Sequence, residues 1–320
     1  MHWRPSRRVE WLLLACLLLP GAARPSKQML SPPPKPLTAA APLTEALTYP
    51  VDGLSIKGFV CRPDKKLGRP LLNLVHGGLD TPVDLALCRR LARLGYVVAA
   101  SALRGQGGSQ GKVEICGGEV SDVRALRSLV QGRYKTDRGR VGYLGISLGG
   151  CVAIKAASNT TGVRAVVTLL SPTDFAEQLK LLSYRPDVAQ RWKALLGGSA
   201  EQVGHAYEAR RPLEALRQLR APLLTVAADR DQLIPLRQSC SVLDIRRQMG
   251  LKVSVVRQTK DGNPVDLTAQ VRQRCTAEAA VSQLPALKGQ DVLLIYENLD
   301  HLSTPAMWKA AEAYLAANLD

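Results

Sequence analysis

From residue 44 onward, unbroken apolar runs of strand length alternate with stretches whose apolar positions recur every three or four residues. "PLLNLVH" (70–76), "YVVAASAL" (96–103), "RVGYLGI" (140–146), "VRAVVTLLS" (163–171), "APLLTVAA" (221–228) and "DVLLIYEN" (291–298) show no polar alternation, as expected of strands covered on both faces. Between them, "VDLALCRRLARLG" (83–95), "EVSDVRALRSLVQG" (119–132), "LGGCVAIKAAS" (148–158) and "PAMWKAAEAYLAANL" (305–319) have helical spacing, and the first two stop on glycine. "TYPVDGLSIKGFVCRP" (48–63) reads as an antiparallel hairpin turned at Asp52-Gly53. The alternation predicts an α/β fold: a mostly parallel sheet with helices on both faces.

Two stretches break the rhythm. Residues 172–219 hold helix-like pieces without a clear strand, and a small helical cap is expected there. Residues 252–290 hold a strand "KVSVVRQ", a turn "KDGNP" and a helix-like "VDLTAQVRQRCTAEAAVSQL", an insertion before the last strand. Ahead of the folded part, a basic "MHWRPSRRVE", a short apolar "WLLLACLLLP" and small residues to Ala23 have the layout of a secretory signal peptide. The apolar run is short for a bilayer span, and retention as an uncleaved anchor is the alternative. Residues 24–43, with six prolines, read as an extended linker, which leaves 44–320 as the catalytic domain.

Composition changes this picture little. The formal net charge is +16, and removal of residues 1–23 leaves 40 basic and 26 acidic residues, or +14. The arginines are scattered, aromatics total 14 and no nucleic-acid motif appears, so the charge reads as a basic surface rather than a nucleic-acid site. Six cysteines follow residue 23, at 61, 88, 116, 151, 240 and 275. Their spacing matches no zinc site and cannot choose among the pairings open to them, and Cys151 reads as a small buried residue. The export signal points to a periplasmic or secreted protein.

Glycine-x-serine-x-glycine occurs twice, at Ser109 and at Ser147. Ser109 sits in the glycine-rich "RGQGGSQGK", without an adjoining strand or helix. Ser147 lies where "RVGYLGI" meets "LGGCVAIKAAS", the strand-to-helix turn that exposes a nucleophile. A serine needs a base to take its proton. Of four histidines, His2 precedes the folded part, His76 ends a strand ahead of the serine, and His205 lies in the cap stretch. His301 follows the last strand, at the carboxyl edge of the sheet where such sites form. Asp231, after the strand 221–228, is the acid expected to orient it, with Asp229 the fallback and Asp300 a weaker rival. The amides of Leu148 and Gly78 are the candidate oxyanion donors, with Leu79 as a substitute for Gly78. Tyr184, Arg185, Trp192, Tyr207 and Arg210 are candidates to line a cleft, although a packed or solvated role is expected for each. Arg104 can anchor its glycine loop by an ion pair.

Taken together, "HGG" at 76, "RGQGGSQG" at 104, "GGEVSDVRAL" at 117, "DRGRVGYLGISLGG" at 137, "YEARRPLEALRQLRAPLLTVAADRDQLIP" at 207 and "DH" at 300 resemble the catalytic domain of the prolyl oligopeptidase family and the related dienelactone hydrolase-like esterases. The resemblance implies an α/β-hydrolase fold with Ser147, Asp231 and His301 as triad. It also implies a serine hydrolase acting on a short peptide or small ester through an acyl-enzyme, without metal or organic cofactor. The chain departs from the family in Ala228, where glycine is usual before the acid, in the long 252–290 connection, and in having no room ahead of residue 44 for the β-propeller of the large members. A carboxylesterase, or an idle binding protein on the same fold, is the alternative.

Overall fold

The hairpin forms as expected. β1 (Leu43–Val51) pairs antiparallel with β2 (Leu54–Arg62), turning at Asp52 and Gly53, both at positive φ (50° and 78°). The computed structural model describes residues 41–268 and 274–320, so the signal-peptide reading and nearly all of the proline-rich linker lie outside the described residues. Next come β3 (Pro70–Val75), α1 (Leu85–Arg93), β4 (Val97–Ser101), α2 (Glu119–Tyr134), β5 (Asp137–Ile146), α3 (Leu148–Ala157) and β6 (Val163–Leu169). The cap stretch is helical throughout: α4 (Phe175–Leu181), a 3-10 turn (Leu182–Tyr184), α5 (Pro186–Leu196), α6 (Gly204–Glu208) and α7 (Leu213–Gln218). β7 (Leu223–Ala228), α8 (Leu236–Gln248), β8 (Val253–Thr259), β9 (Ala280–Val281), β10 (Asp291–Glu297) and α9 (Pro305–Leu319) complete the chain.

The strands form one sheet in the order β1-β2-β4-β3-β5-β6-β7-β10-β8-β9. β2 alone runs against the rest, pairing antiparallel with β1 and β4, and every pairing from β4 to β9 is parallel. Side chains of period two divide each strand between the two faces. Val292, Leu294 and Tyr296 of β10 belong to the core cluster that holds Met307, Ala311 and Tyr314 of α9, while Leu293 and Ile295 belong to the one that holds Leu236 and Leu243 of α8. Val141 and Tyr143 of β5 face α2 and α3. Gly142 lets α9 approach on the other face, where an added Cβ would lie 2.8 Å from Leu319 Cδ1.

Two features place the site. β10 lies between β7 and β8, so the loops leaving β7 and β10 are neighbours. At the opposite end of the same strands, buried Arg246 donates to both carboxylate oxygens of Asp291 (2.6 and 3.0 Å), and Asp291 accepts the Leu223 N–H (2.9 Å), fixing where β7 and β10 begin against each other.

The structure corrects one expectation and extends another. Residues 274–290 form turns and the short β9 rather than the expected helix, and residues 269–273 lie outside the described ones. The chain here is held against the sheet edge by a Cys240–Cys275 disulfide and by Glu278 reaching Arg257. Cys151 is buried but not free: it pairs with Cys116, and Cys61 pairs with Cys88, so all six cysteines after residue 23 are joined. The sequence spacing gave no way to select these partners.

Candidate active site

β5 runs into Ser147, whose backbone (φ 49°, ψ −125°) lies outside the regions ordinary residues occupy, and Leu148 begins α3. Such a conformation costs on the order of 1–3 kcal/mol and is held only by its surroundings. Here Ser147 N–H donates to Leu169 O (2.8 Å) and Gly150 N–H to Ser147 O (2.9 Å). The flanking glycines have steric reasons. A Cβ on Gly145 would lie 2.5 Å from Gly150 Cα, one on Gly149 2.5 Å from His76 O, and one on Gly77 2.8 Å from Ser147 Cβ. Strand, helix and the turn after β3 therefore close around the serine more tightly than side chains would permit.

His301, in the loop between β10 and α9, presents Nε2 to Ser147 Oγ at 3.2 Å and Nδ1 to Asp231 Oδ2 at 2.7 Å. A carboxylate can only accept, so Nδ1 carries the proton and Nε2 is left with its lone pair toward the serine hydroxyl. The Asp231 side chain is wholly buried, while that of His301 is 23% exposed. Asp231 Oδ1 accepts the amides of Leu233 (2.9 Å) and Ile234 (2.6 Å), which fixes the carboxylate plane.

The rival aspartates have different partners. Asp300 Oδ1 accepts the amides of His301 (2.7 Å) and Gln232 (2.9 Å), tying the histidine loop to the acid loop. Asp229 is buried, and its Oδ1 accepts Leu299 N–H at 3.4 Å. Ser109 is a loop residue whose Oγ accepts Lys57 N–H (3.0 Å). Buried Arg104 anchors that loop through Asp52, Glu114 and Asp122. His76 lies against the carbonyls of Gly77 (2.9 Å) and Ala102 (3.3 Å), and burial lowers its pKa. His205 is exposed on α6.

Leu148 and Gly78 flank the serine: Leu148 is the first residue of α3, and Gly78 follows Gly77 in the left-handed region (φ 81°). Leu79, beside Gly78, accepts Arg191 Nη2 through its carbonyl (3.3 Å). Across the site, Tyr184 donates its hydroxyl to Gln232 O (2.9 Å), so the cap touches both the oxyanion turn and the acid loop. Burial, then the charges of Asp300 and Asp231, hold the Tyr184 hydroxyl above its usual pKa. Its ring is half exposed, and Leu302 next to His301 is more exposed still. The other cleft candidates are packed or paired elsewhere. Trp192 packs against Phe175 with the rings tilted, buried Tyr207 donates to Gly198 O, Arg210 donates to Glu114 O, and Arg185 pairs with Asp187.

The chain is similar to known peptidases and esterases. The X-Pro dipeptidyl-peptidase (S15 family) pattern matches residues 26–277. The chain is 24% identical over 196 residues to the uncharacterized peptidase YtmA of Bacillus subtilis (strain 168), covering 60% of this chain and 75% of that one. Among solved structures, the acylaminoacyl peptidase of Pyrococcus horikoshii superposes with a TM-score of 0.63 at 16% identity, over 86% of this chain and 40% of that one. A puromycin hydrolase does so with a TM-score of 0.61 at 19% identity, over 86% and 38%. An esterase of Pyrococcus furiosus matches over 91% of this chain and 99% of its own, with a TM-score of 0.59 at 15% identity. The chain thus spans about two fifths of the length of the two larger enzymes and nearly all of the esterase. These likenesses establish the α/β-hydrolase fold.

Proposed function

The chain belongs to the X-Pro dipeptidyl-peptidase (S15) family and is a serine hydrolase of the peptidase or esterase kind, and we propose that it cleaves short peptides or small esters through an acyl-enzyme on Ser147. The observation that carries this reading is His301 bridging Ser147 Oγ and Asp231 in one hydrogen-bonded line.

In this reading, Ser147 Oγ attacks the substrate carbonyl as its proton passes to His301 Nε2. Asp231 holds the ring in the competent tautomer and stabilises the imidazolium that forms. Negative charge gathering on the carbonyl oxygen is met by the amides of Leu148 and Gly78, with α3 adding the positive end of its dipole. The imidazolium then protonates the departing amine or alcohol, and a water activated by the same ring releases the acyl group. The exposed apolar surface of Tyr184 and Leu302 favours an uncharged group beside the scissile bond. Export is part of the proposal, supported by the signal-like amino terminus and by three disulfides, which persist in oxidising compartments.

The test is kcat/KM on a matched ester and anilide sharing one acyl group, with an X-Pro anilide alongside and Ser147→Ala as control. Serine-dependent turnover of ester and anilide supports a peptidase, and turnover of the ester alone an esterase. Turnover that survives in Ser147→Ala overturns the assignment.

A further inference from the structure

Behind the loops that carry Asp231 and His301, four charged side chains meet in the interior. The Arg257 side chain in β8 is fully buried, with Glu278 1% and Glu297 10% exposed. Arg257 Nε and Nη2 donate to the two oxygens of Glu278 (2.5 and 3.0 Å), and Nη1 donates to Glu297. Glu297 ends β10 one residue past the Tyr296–Ala228 pair, which sets it beside Asp229 just past the end of β7. Burial first, and the Asp229 carboxyl with it, keep Glu297 above the usual carboxylate range against the pull of Arg257.

Asp229 joins the two strand ends. Its N–H donates to Tyr296 O (3.1 Å), its Oδ1 accepts Leu299 N–H (3.4 Å), and Arg230 N–H donates to Leu299 O (3.0 Å). Asp231 and His301 lie two residues beyond Asp229 and Leu299. The outer end of the chain of charges belongs to the inserted 252–290 segment. There Glu278 Oε2 accepts Cys275 N–H (2.9 Å), and Cys275 is disulfide-bonded to Cys240 of α8. Burying so much charge is costly, and apolar side chains would fill the space at least as stably. What the charges add is a fixed geometry between the ends of β7, β8 and β10.

We propose that Glu278, Arg257, Glu297 and Asp229 form a buried brace through which the inserted segment positions His301 against Asp231 and Ser147. This rests on the catalytic reading above, so the experiment must separate the two. Inactivation of the wild type by a fluorophosphonate comes first, because an unreactive wild type defeats the catalytic reading and not the brace. With a reactive wild type, folded Glu278→Gln is expected to inactivate ~10- to 100-fold more slowly, the scale of a misplaced catalytic group. The downfield proton resonance of His301 Nδ1–H should broaden with it, a change that lost stability alone would not produce. Asp229→Asn keeps the Leu299 N–H bond through its oxygen and sets a polar NH2 beside Glu297. It should inactivate within about twofold of wild type, whereas Asp229→Ala, which loses the Leu299 bond and leaves Glu297 without a polar neighbour there, should fall with Glu278→Gln. A folded Glu278→Gln with wild-type rate and resonance overturns the brace. So does Asp229→Asn, the near-isosteric variant that decides the matter if Glu278→Gln does not fold, should it lose as much as Asp229→Ala.

Discussion

Asp231→Asn should disable the enzyme through the orientation of one amide. Asp231 Oδ1 accepts two backbone N–H groups (2.9 and 2.6 Å) while Oδ2 faces His301 Nδ1 (2.7 Å). An asparagine has one oxygen to serve both directions. If the oxygen takes the two N–H groups, its NH2 faces His301, Nδ1 must become the acceptor, and the proton moves to Nε2, where it can no longer accept from Ser147. If the amide turns over, the competent tautomer returns, but two backbone donors face an NH2. Each group left unsatisfied costs about 1–3 kcal/mol, so the competent orientation is disfavoured by about 2–6 kcal/mol. At 1.36 kcal/mol per decade, that is a loss of about 30-fold to 10⁴-fold in kcat/KM, before counting the lost charge beside the imidazolium. The assay is ester hydrolysis with circular dichroism as the folding control and Asp229→Asn as the matched comparison. A loss below about tenfold in Asp231→Asn would refute the reasoning, most sharply if Asp229→Asn proved the damaging change.

Gly149→Ala would put a methyl 2.5 Å from His76 O and closer still to Val75 O, and should cost about 3 kcal/mol with a clear fall in Tm. Gly132→Ala in α2, which meets nothing within 4 Å, should instead gain about 0.5–1 kcal/mol; thermal unfolding of the pair checks both signs. Replacing Cys116 and Cys151 by serine opens a loop closed over 35 residues and should cost about 3–4 kcal/mol, read as a lower denaturant midpoint under non-reducing conditions. Burial acts to raise the Glu278 pKa, but Arg257 and the Cys275 amide outweigh it and hold it below its ordinary 4.5. A lowered pKa contributes stability that is present above 4.5 and lost as pH falls through the folded value, so the Tm gap between wild type and Glu278→Gln should narrow on acidification below 4.5. A gap independent of pH would contradict that assignment.

What could be read from the chain was what sterics and order make local. Ser147 needs glycine at 145 and 149 because backbone atoms come within contact distance there, so the elbow is written into adjacent residues. Asp231 and His301 were legible because each follows a buried apolar strand and stands in the order such triads take. Asp231 was the preferred acid and Asp229 the fallback, but the partners that separate them appear only in the fold, since both follow β7. The brace was hidden for the same reason, since Arg257, Glu278 and Glu297 are 19 to 40 residues apart and meet only because β10 enters between β7 and β8. Helical spacing misled at 274–284, where a disulfide and an ion pair outweigh a local preference. The cap stretch was read as helical, and Trp192 and Tyr207 have the packed roles expected of them.

The central claim is that Ser147 is the nucleophile, and the most direct measurement is the site of covalent labelling by a fluorophosphonate, read by peptide mass spectrometry. The account predicts one adduct per chain, on the peptide containing Ser147, absent from Ser147→Ala and unaffected by Ser109→Ala. An adduct on Ser109, or a folded wild-type protein that takes none, would contradict it.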